Sequence, residues 1–393
     1  MGHSSRRSPT QAGRWLVDAR IPIDATPTGA PAMSQSTELI LIEPDLLREF
    51  TERVFERLGV PPADARLAAD VLIEADLRGF DCHGLSRLYP CYLRLKKGLI
   101  ATTPSIEVEW LTPTTGHCDG GNGLGMVVGW HAMKACITRA REFGSAFLTV
   151  SRSNHFGIAG YYSSMPLEFD MIGIAMSNAS PRVVPTGGTT GILGTNPISV
   201  AVPGQKGGGA PFILDMSTSA VSSGKIDVQL RKGKEVPDGW VYPSVKPFLD
   251  SEGVVPMSVL QYPLGGPMIT GGHKGYGLAL MVDILCGVLS GANYGSKLSA
   301  SKRPDAEANI GHFFGALQVQ GFRLPEKVYE DLTALVQDMK SSPPEPGVDG
   351  VLIAGEPEML KKKWNQRHGV PVLPAVLSHL RQISSELQIP LAV

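Results

Sequence analysis

The stretch Gly275–Ala292, GYGLALMVDILCGVLSGA, constrains the chain more than any other segment. A run this apolar must leave water, in a bilayer or in a large protein core. Asp283 interrupts it, and His273 and Lys274 stand at its entrance. No second run of the kind exists, so a buried helix is expected and not a lone membrane span. The chain has 393 residues, enough for two or three domains and one large core. Lys and Arg number 36 against 37 Asp and Glu, a net charge of -1, which leaves no basic footprint for nucleic acid and no acidic excess that forces disorder. Gly (45) and Pro (31) are spread through apolar segments, a pattern of tight turns that excludes collagen, coiled coil and simple helical bundle.

Cys82, Cys91, Cys118, Cys136 and Cys286 form an odd, scattered set without a C-x-x-C pair. A disulfide framework and a structural zinc site are both disfavoured, and a reduced, cytoplasmic protein is expected. His117-Cys118-Asp119 lacks companions at metal-ligand spacing, so no metal site is expected. Residues 1–37 have another texture. Arg6, Arg7, Arg14 and Arg20 face only two acids among the first 35, which fits a disordered tail, an extension upstream of a start at Met33, or an organelle-targeting segment.

From Glu43 to Gly79 the apolar spacing is helical, with Leu46, Leu47, Phe50, Val54 and Leu58 on one stripe and Pro61–Pro62 dividing two helices. HGLSRLYPCYLRLKKGLI continues as helix with a break near Pro90. Residues 126–144 read as an amphipathic helix ending at Gly. SAFLTVSRS, DMIGIAMSN, PISVAVPG, PFILDMSTS and FFGALQVQGF read as strands, and helices are expected at 325–340, 356–367 and 374–387. The whole is mixed α/β, with a helical part at 38–115, an α/β part at 116–325 that binds cofactor and substrate, and a helical part at 326–393. Between Lys225 and Pro263 the chain reads as a long excursion or flap. There is no P-loop, and GGNGLG (120–125) has its glycines at the wrong offsets for a dinucleotide fingerprint, so an ordinary Rossmann fold is not expected.

Four clusters carry candidate chemistry. In Asp81-Cys82-His83-Gly84-Leu85-Ser86-Arg87, His and Arg lie four apart, on one face if the segment is helical. That pairing suits a 2-oxo or 2-hydroxy acid: Arg grips the carboxylate and His donates a proton to the carbonyl oxygen. A surface Arg beside a capping His is the plain alternative. Ser153-Asn154-His155-Phe156-Gly157 follows a strand, where α/β proteins keep their sites, although a turn satisfying its own backbone has the same look. Gly271-Gly272-His273-Lys274 opens the apolar helix and reads either as a phosphate site or as a turn that lets the helix pack closely. Gly194-Thr195-Asn196-Pro197, with Asp215 further on, is a weaker signal.

Together CHGLSRL, SNHFGIAGYY, GTNPISVAVP, ILDMSTS, GGHKGYGLALMVDIL and AGEPE resemble, in order and spacing, the malate/L-lactate dehydrogenase family, which includes ureidoglycolate and sulfolactate dehydrogenases, diketogulonate reductase and piperideine-carboxylate reductase. The resemblance runs from about Leu39 to about Pro371. It implies a non-Rossmann, mixed-sheet α/β fold of the sulfolactate dehydrogenase-like kind, with helical N- and C-terminal segments packed together. It also implies an NAD- or NADP-dependent 2-oxo acid reductase giving a 2-hydroxy acid such as malate or lactate, usually a homodimer, with no nucleic-acid or membrane partner. Carried over by motif, His83 is proton donor, Arg87 holds the substrate carboxylate, His155 lies by the nicotinamide as the other candidate acid/base, and Thr195 lines the substrate pocket. Cofactor contacts fall on His155, Phe156, Gly157, Asp215, Lys274, Gly355 and Glu356. Three departures stand out: Cys82 where the family has a relaying Ser, Cys91 where it often has Tyr, with Tyr92 beside it, and PMITGG intervening between Gly266 and His273. A cyclic imino acid reductase and a non-catalytic dinucleotide-binding homologue are the rival readings.

Overall fold

A computed structural model describes residues 39–204, 209–231, 233–248, 255–256, 258–298 and 305–392. The segment 1–37, expected as a tail or targeting segment, lies outside the described residues. In chain order the elements are β1 (Ile40–Ile42), α1 (Pro44–Arg57), α2 (Pro62–Leu77), α3 (Leu88–Lys96), β2 (Glu107–Trp110), β3 (Thr115–Asp119), α4 (Gly125–Phe143), β4 (Ser145–Ser153), α5 (Ala159–Ser164), β5 (Met171–Ser177), β6 (Ile198–Val202), β7 (Phe212–Met216), α6 (Ser223–Arg231), α7 (Gly272–Asp283), β8 (Ile310–Gln318), α8 (Pro325–Lys340), α9 (Glu356–His368), β9 (Val370–Val372) and α10 (Pro374–Leu387).

Pro44 and Pro62 open α1 and α2 at positions that need no N–H donor. The stripe of α1 is buried at Leu47, Phe50 and Val54, while Leu46, expected on it, is 42% exposed. Pro90 causes no break. It sits in the first turn of α3, where a missing N–H costs nothing, and the interruption falls earlier, in the turn before the 3-10 segment Leu85–Arg87. Gly144, at φ 84°, ends α4 as the sequence requires.

Seven strands make one mixed sheet in the order β2-β3-β4-β8-β5-β6-β7. Only β3 and β4 pair in parallel; the other neighbours are antiparallel. The fold class expected from the resemblance is therefore observed. The N- and C-terminal segments also pack together: β1 pairs with β9, Ile40 opposite Val372, and Asn365 of α9 donates to the carbonyls of Asp76 and Leu77 at the end of α2, both at 3.0 Å. The main core lies between α1–α5, the sheet and α10, with Tyr92, Tyr162, Phe55 and Phe314 fully buried.

The apolar run is buried along one face only. Ala279, Val282 and Cys286 pack inward, whereas Met281, Ile284, Val288 and Leu289 are exposed. Asp283 is no interruption of that packing. Its carboxylate accepts Asn178 Nδ2 at 3.1 Å and the Gly295 N–H at 2.8 Å, which compensates its burial. No helix among the described residues is long and apolar enough to cross a membrane. Described residues of the stretch read as an excursion, Ile226, Val255 and Val259, join Val221 just before it in a small apolar cluster.

Register brings five strand ends to one edge of the sheet. Ser153, ending β4, faces Ile310 at the start of β8; Ser177, ending β5, faces His312; Ile198, opening β6, faces Met176 and Met216. The segments beyond that edge hold His155, Thr195 and the end of β7 after Asp215.

Candidate active site

Two turns resting on α2 form the centre of the site. The first carries His83. It is not a helical pair with Arg87, because His83 precedes the 3-10 turn; the Arg87 N–H bonds the Gly84 carbonyl at 2.8 Å, and that tight turn folds the two side chains into one neighbourhood. Asp76 of α2 holds the turn from below. Its Oδ2 accepts the Leu85 N–H at 2.7 Å, and a Cβ on Gly84 would lie 2.1 Å from Oδ1, so only glycine fits there. Arg87 Nε donates to the Cys82 carbonyl at 2.6 Å, and Cys82 Sγ lies 3.0 Å from His83 Nδ1.

The second turn leaves β4 and carries His155. Asn154 anchors it by donating Nδ2 to the Gly123 carbonyl at 2.8 Å, and Gly125, opening α4, leaves room for the Asn154 carbonyl, which a Cβ would approach to 2.1 Å. The glycine run 120–125 thus packs α4 beneath this turn. Gly157 is held at φ 80° with Val71 of α2 directly beneath it. Its N–H donates to His155 Nδ1 at 3.2 Å.

The rings of His83 and His155 stack with centroids 5.5 Å apart. Burial, then the positive charge of Arg87, pushes His83 down to about 3. Burial also lowers His155 well below the usual imidazole value, helped by Arg87, His83 and His312. Both rings are therefore neutral near pH 7 in the ligand-free site, since desolvation disfavours the cation and Arg87 repels it.

His312 of β8 has no motif around it, and nothing in the sequence singles it out. Fully buried, it places Nδ1 2.9 Å from Ser177 Oγ and Nε2 2.8 Å from Ser153 Oγ, and its ring lies parallel to Phe156 at 4.5 Å. This plate backs the second turn, and Phe156 is a wall behind His155.

Asp215 lies within β7, one residue before its end and paired with Ser199 of β6, and accepts the Gly160 N–H at 2.7 Å. Burial raises it to about 6, opposed by that hydrogen bond and by Arg78. The Ile213 N–H bonds the Ala354 carbonyl at 3.0 Å, which brings Gly355 alongside. A narrow hollow results, with Phe80, Ile213 and Met359 as apolar walls and Arg78, Asp215 and Glu358 as polar ones. Arg78, Phe80, Glu358 and Met359 were not among the expected residues. Arg78 is fixed by Glu74, which Lys362 also reaches, both at 2.7 Å. Glu356 also does structural work: its carboxylate accepts the Ile353 N–H at 2.9 Å and Lys340 Nζ at 2.5 Å.

Thr195 is half-buried at the entry to β6, its carbonyl bonded by the Thr218 N–H at 2.8 Å. Asn196 pins this loop, accepting the Ala179 N–H at 3.0 Å and donating to the Ala279 carbonyl of α7 at 2.8 Å. Lys274 is exposed on the first turn of α7. That turn reaches the Thr195 loop through Leu264, which bonds the Thr218 carbonyl at 2.9 Å and packs against Gly275. Two departures find local answers. Tyr92 points away from the site, bonding Glu386 of α10 and Lys96, so it does not supply the hydroxyl missing at Cys91. PMITGG folds as an exposed 3-10 turn over Met268–Thr270 ahead of α7.

A model of the malate/L-lactate dehydrogenase family matches residues 42–381. The chain belongs to this family. It is accordingly a 2-hydroxy acid dehydrogenase. Malate dehydrogenase of Pyrococcus abyssi is 40% identical over 353 residues, covering 88% of this chain and 94% of that protein. L-sulfolactate dehydrogenase of Methanocaldococcus jannaschii is 36% identical over 350 residues, covering 88% and 97%. The crystal structure of malate dehydrogenase from Entamoeba histolytica superposes with a TM-score of 0.83 at 32% identity, covering 91% of this chain and all of that one.

Proposed function

We propose that this dehydrogenase interconverts a 2-oxo acid and its 2-hydroxy acid, of the malate or lactate type, with NADH or NADPH as hydride donor. One observation carries the reading: two neutral imidazoles stacked at 5.5 Å, with the charge of Arg87 acting on both. A guanidinium beside neutral imidazoles is what a carboxylate next to a carbonyl needs, one group to hold the anion and another to handle the proton.

The hollow at Asp215 is narrow, and one end of a dinucleotide would lie along it and not inside it. Its apolar walls suit the edge of a flat ring and its carboxylates suit ribose hydroxyls, while Gly160 and Gly355 give up their side-chain space to Asp215 and Ile213 of β7. Phe156, Gly157, Lys274 and Glu356 complete the proposed cofactor contacts by motif. When bound, the nicotinamide supplies a hydride to C2 of the oxo acid. Arg87 holds the acid's carboxylate, Thr195 borders the pocket, and an imidazole of the pair, once protonated, gives its added proton to the carbonyl oxygen and returns to the neutral form, so that C=O becomes CH–OH. Anion binding at Arg87 also offsets the smaller of the effects that depress the two rings; burial, the larger one, remains.

Relatives differ in cofactor: NAD+ stands in the name of ureidoglycolate dehydrogenase of Escherichia coli, NADP+ in that of (2R)-3-sulfolactate dehydrogenase of Chromohalobacter salexigens. Loss of NADH and NADPH absorbance with pyruvate, oxaloacetate, sulfopyruvate, 2-oxoglutarate, diketogulonate and piperideine-2-carboxylate tests the reading. Oxidation with one of the 2-oxo acids is expected. Turnover of the cyclic imine alone, or cofactor binding without any turnover, overturns it.

We also propose a cytoplasmic homodimer. All five cysteines are free thiols, as a reducing compartment favours. The exposed apolar face of the α7 segment, at Met281, Ile284, Val288 and Leu289, is the surface a second copy would cover. Light scattering should give a dimer for the native chain and a monomer for Ile284→Glu; a native monomer contradicts the assembly.

A further inference from the structure

We infer that His155 acts as a fixed hydrogen-bond donor through Nε2–H and is not the proton carrier, which leaves proton transfer to His83. This rests on the dehydrogenase reading above; the resemblance gives His83 as proton donor and leaves His155 as a second candidate, and the new element is the fixed donor role of His155.

The inference follows from what each ring's Nδ1 faces. A histidine that delivers a proton from Nε2 starts as the imidazolium, with hydrogens on both nitrogens, and ends neutral with its hydrogen on Nδ1. In both states Nδ1 carries a hydrogen. At His155, Nδ1 is the acceptor of the Gly157 N–H at 3.2 Å. A hydrogen on Nδ1 would oppose that N–H, so neither state of the cycle fits the turn as built. The turn cannot easily give way either. Gly157 is held at φ 80° against Val71, and Asn154 is tied to Gly123. The single proton of the ring then sits on Nε2, and the bond made by one nitrogen sets the state of the other.

His83 is under no such restriction. Its Nδ1 faces Cys82 Sγ at 3.0 Å, and a thiol both donates and accepts. With S–H pointing to Nδ1, the ring carries its hydrogen on Nε2. With S–H turned away, Nδ1–H points at sulfur, and Nε2 is free to take or give a proton. Both states of the carrier's cycle are allowed at this turn. The charged and titratable groups facing His155 are Arg87 and His83 from the first turn and His312 from β8, and all three oppose a cation at His155.

In the donor role, a neutral Nε2–H can hydrogen-bond a carbonyl oxygen, of substrate or of the nicotinamide carboxamide, without losing its proton. Glutamine reproduces that donor, since its Nε2 falls near the imidazole Nε2, but it cannot carry a proton. Two measurements decide the matter. Imidazole 15N spectra of the full-length, histidine-labelled protein, with His155→Gln used for assignment, should show His155 as the neutral Nε2–H form from pH 5 to 8. A hydrogen on Nδ1 at any pH in that range overturns the inference, whatever the enzyme turns over. With oxaloacetate and NADH, His155→Gln should keep kcat/KM within about tenfold of native, because the donor is retained, and keep the native slope of log kcat/KM against pH. Loss of that slope in His155→Gln, with the slope kept in His83→Gln, reverses the assignment. A native enzyme that oxidises neither NADH nor NADPH with any 2-oxo acid refutes the dehydrogenase reading, and the spectra still judge the state of His155.

Discussion

The two turns that meet at the site rest on the same helix and are built on opposite principles. The His83 turn is supported through a buried carboxylate, Asp76, which grips the Leu85 N–H beneath a glycine. The His155 turn is supported through neutral groups: the Asn154 amide, the Phe156–His312 stack and Val71. At the first, Nδ1 of the imidazole meets an adaptable thiol; at the second, it meets a backbone N–H that cannot change sign. Proximity to substrate therefore does not decide which histidine moves a proton. The partner on the far side of each ring does.

The comparison breaks most visibly at His83. His83→Gln should lower kcat by about 10²- to 10⁴-fold, the usual worth of a positioned acid–base group. A near-native kcat would move the proton to another residue. Next comes pH. His83 is lowered to about 3 in the free enzyme, so it is neutral, and able to accept a proton, throughout pH 5 to 8. For oxidation of the hydroxy acid, kcat/KM should stay level over that range. For reduction, the competent form is the cation, whose share falls about tenfold with each pH unit above the lowered value, so kcat/KM should fall as pH rises. A bell centred near an ordinary histidine value in both directions would contradict the assignment.

Arg87→Ala should raise KM for the acid about 10-fold to 100-fold, the cost of a lost charge-assisted hydrogen bond, with a smaller change in kcat. An unchanged KM would place the carboxylate elsewhere. Gly84→Ala and Gly157→Ala sharpen the contrast between the two supports. Each should destabilise the fold by about 1–3 kcal/mol in thermal or denaturant unfolding, since a Cβ meets the Asp76 carboxylate at 2.1 Å in one and Val71 Cγ1 at 2.6 Å in the other. Native stability in either variant would mean that the turn is looser than described. The smallest effect belongs to Cys82→Ser, which keeps a donor and acceptor at Nδ1 and should change kcat by less than about tenfold. A larger loss would show that the thiol does more than adapt to the ring.

Much of the scaffold was legible in the sequence, because α1, α2 and α4 carry unbroken helical spacing and strands β4–β8 are short apolar runs bounded by turns. The small pairs were not. β1 and β9 have three residues each, with Pro371 inside β9, and β2 and β3 (EVEW and TGHCD) are too polar to announce themselves. A tertiary pairing is what makes these segments strands. The apolar run was legible as a helix but not as a half-exposed one, since hydropathy reports the need for a cover and not what supplies it.

At the site, the structure brings His83, Arg87 and His155 into one neighbourhood and sets Asp215 at a separate hollow, and the helical spacing assumed for His83 and Arg87 does not hold: Gly84 and Asp76 turn the chain there. His312 left no trace, because a strand histidine between two serines distant in sequence has no local signature. Arg78 and Met359 were hidden for the same reason; only the closure of α9 against β7 brings them to the hollow.

Hydride transfer to C2 of a 2-oxo acid is the central claim, and isotope transfer tests it most directly. NADH or NADPH carrying deuterium at both C4 positions of the nicotinamide, incubated with the enzyme and oxaloacetate or another acid of the panel, should yield a 2-hydroxy acid with deuterium on C2, seen by NMR or mass spectrometry. Product formed with hydrogen from water at C2, or no hydroxy acid from any 2-oxo acid, would contradict the account.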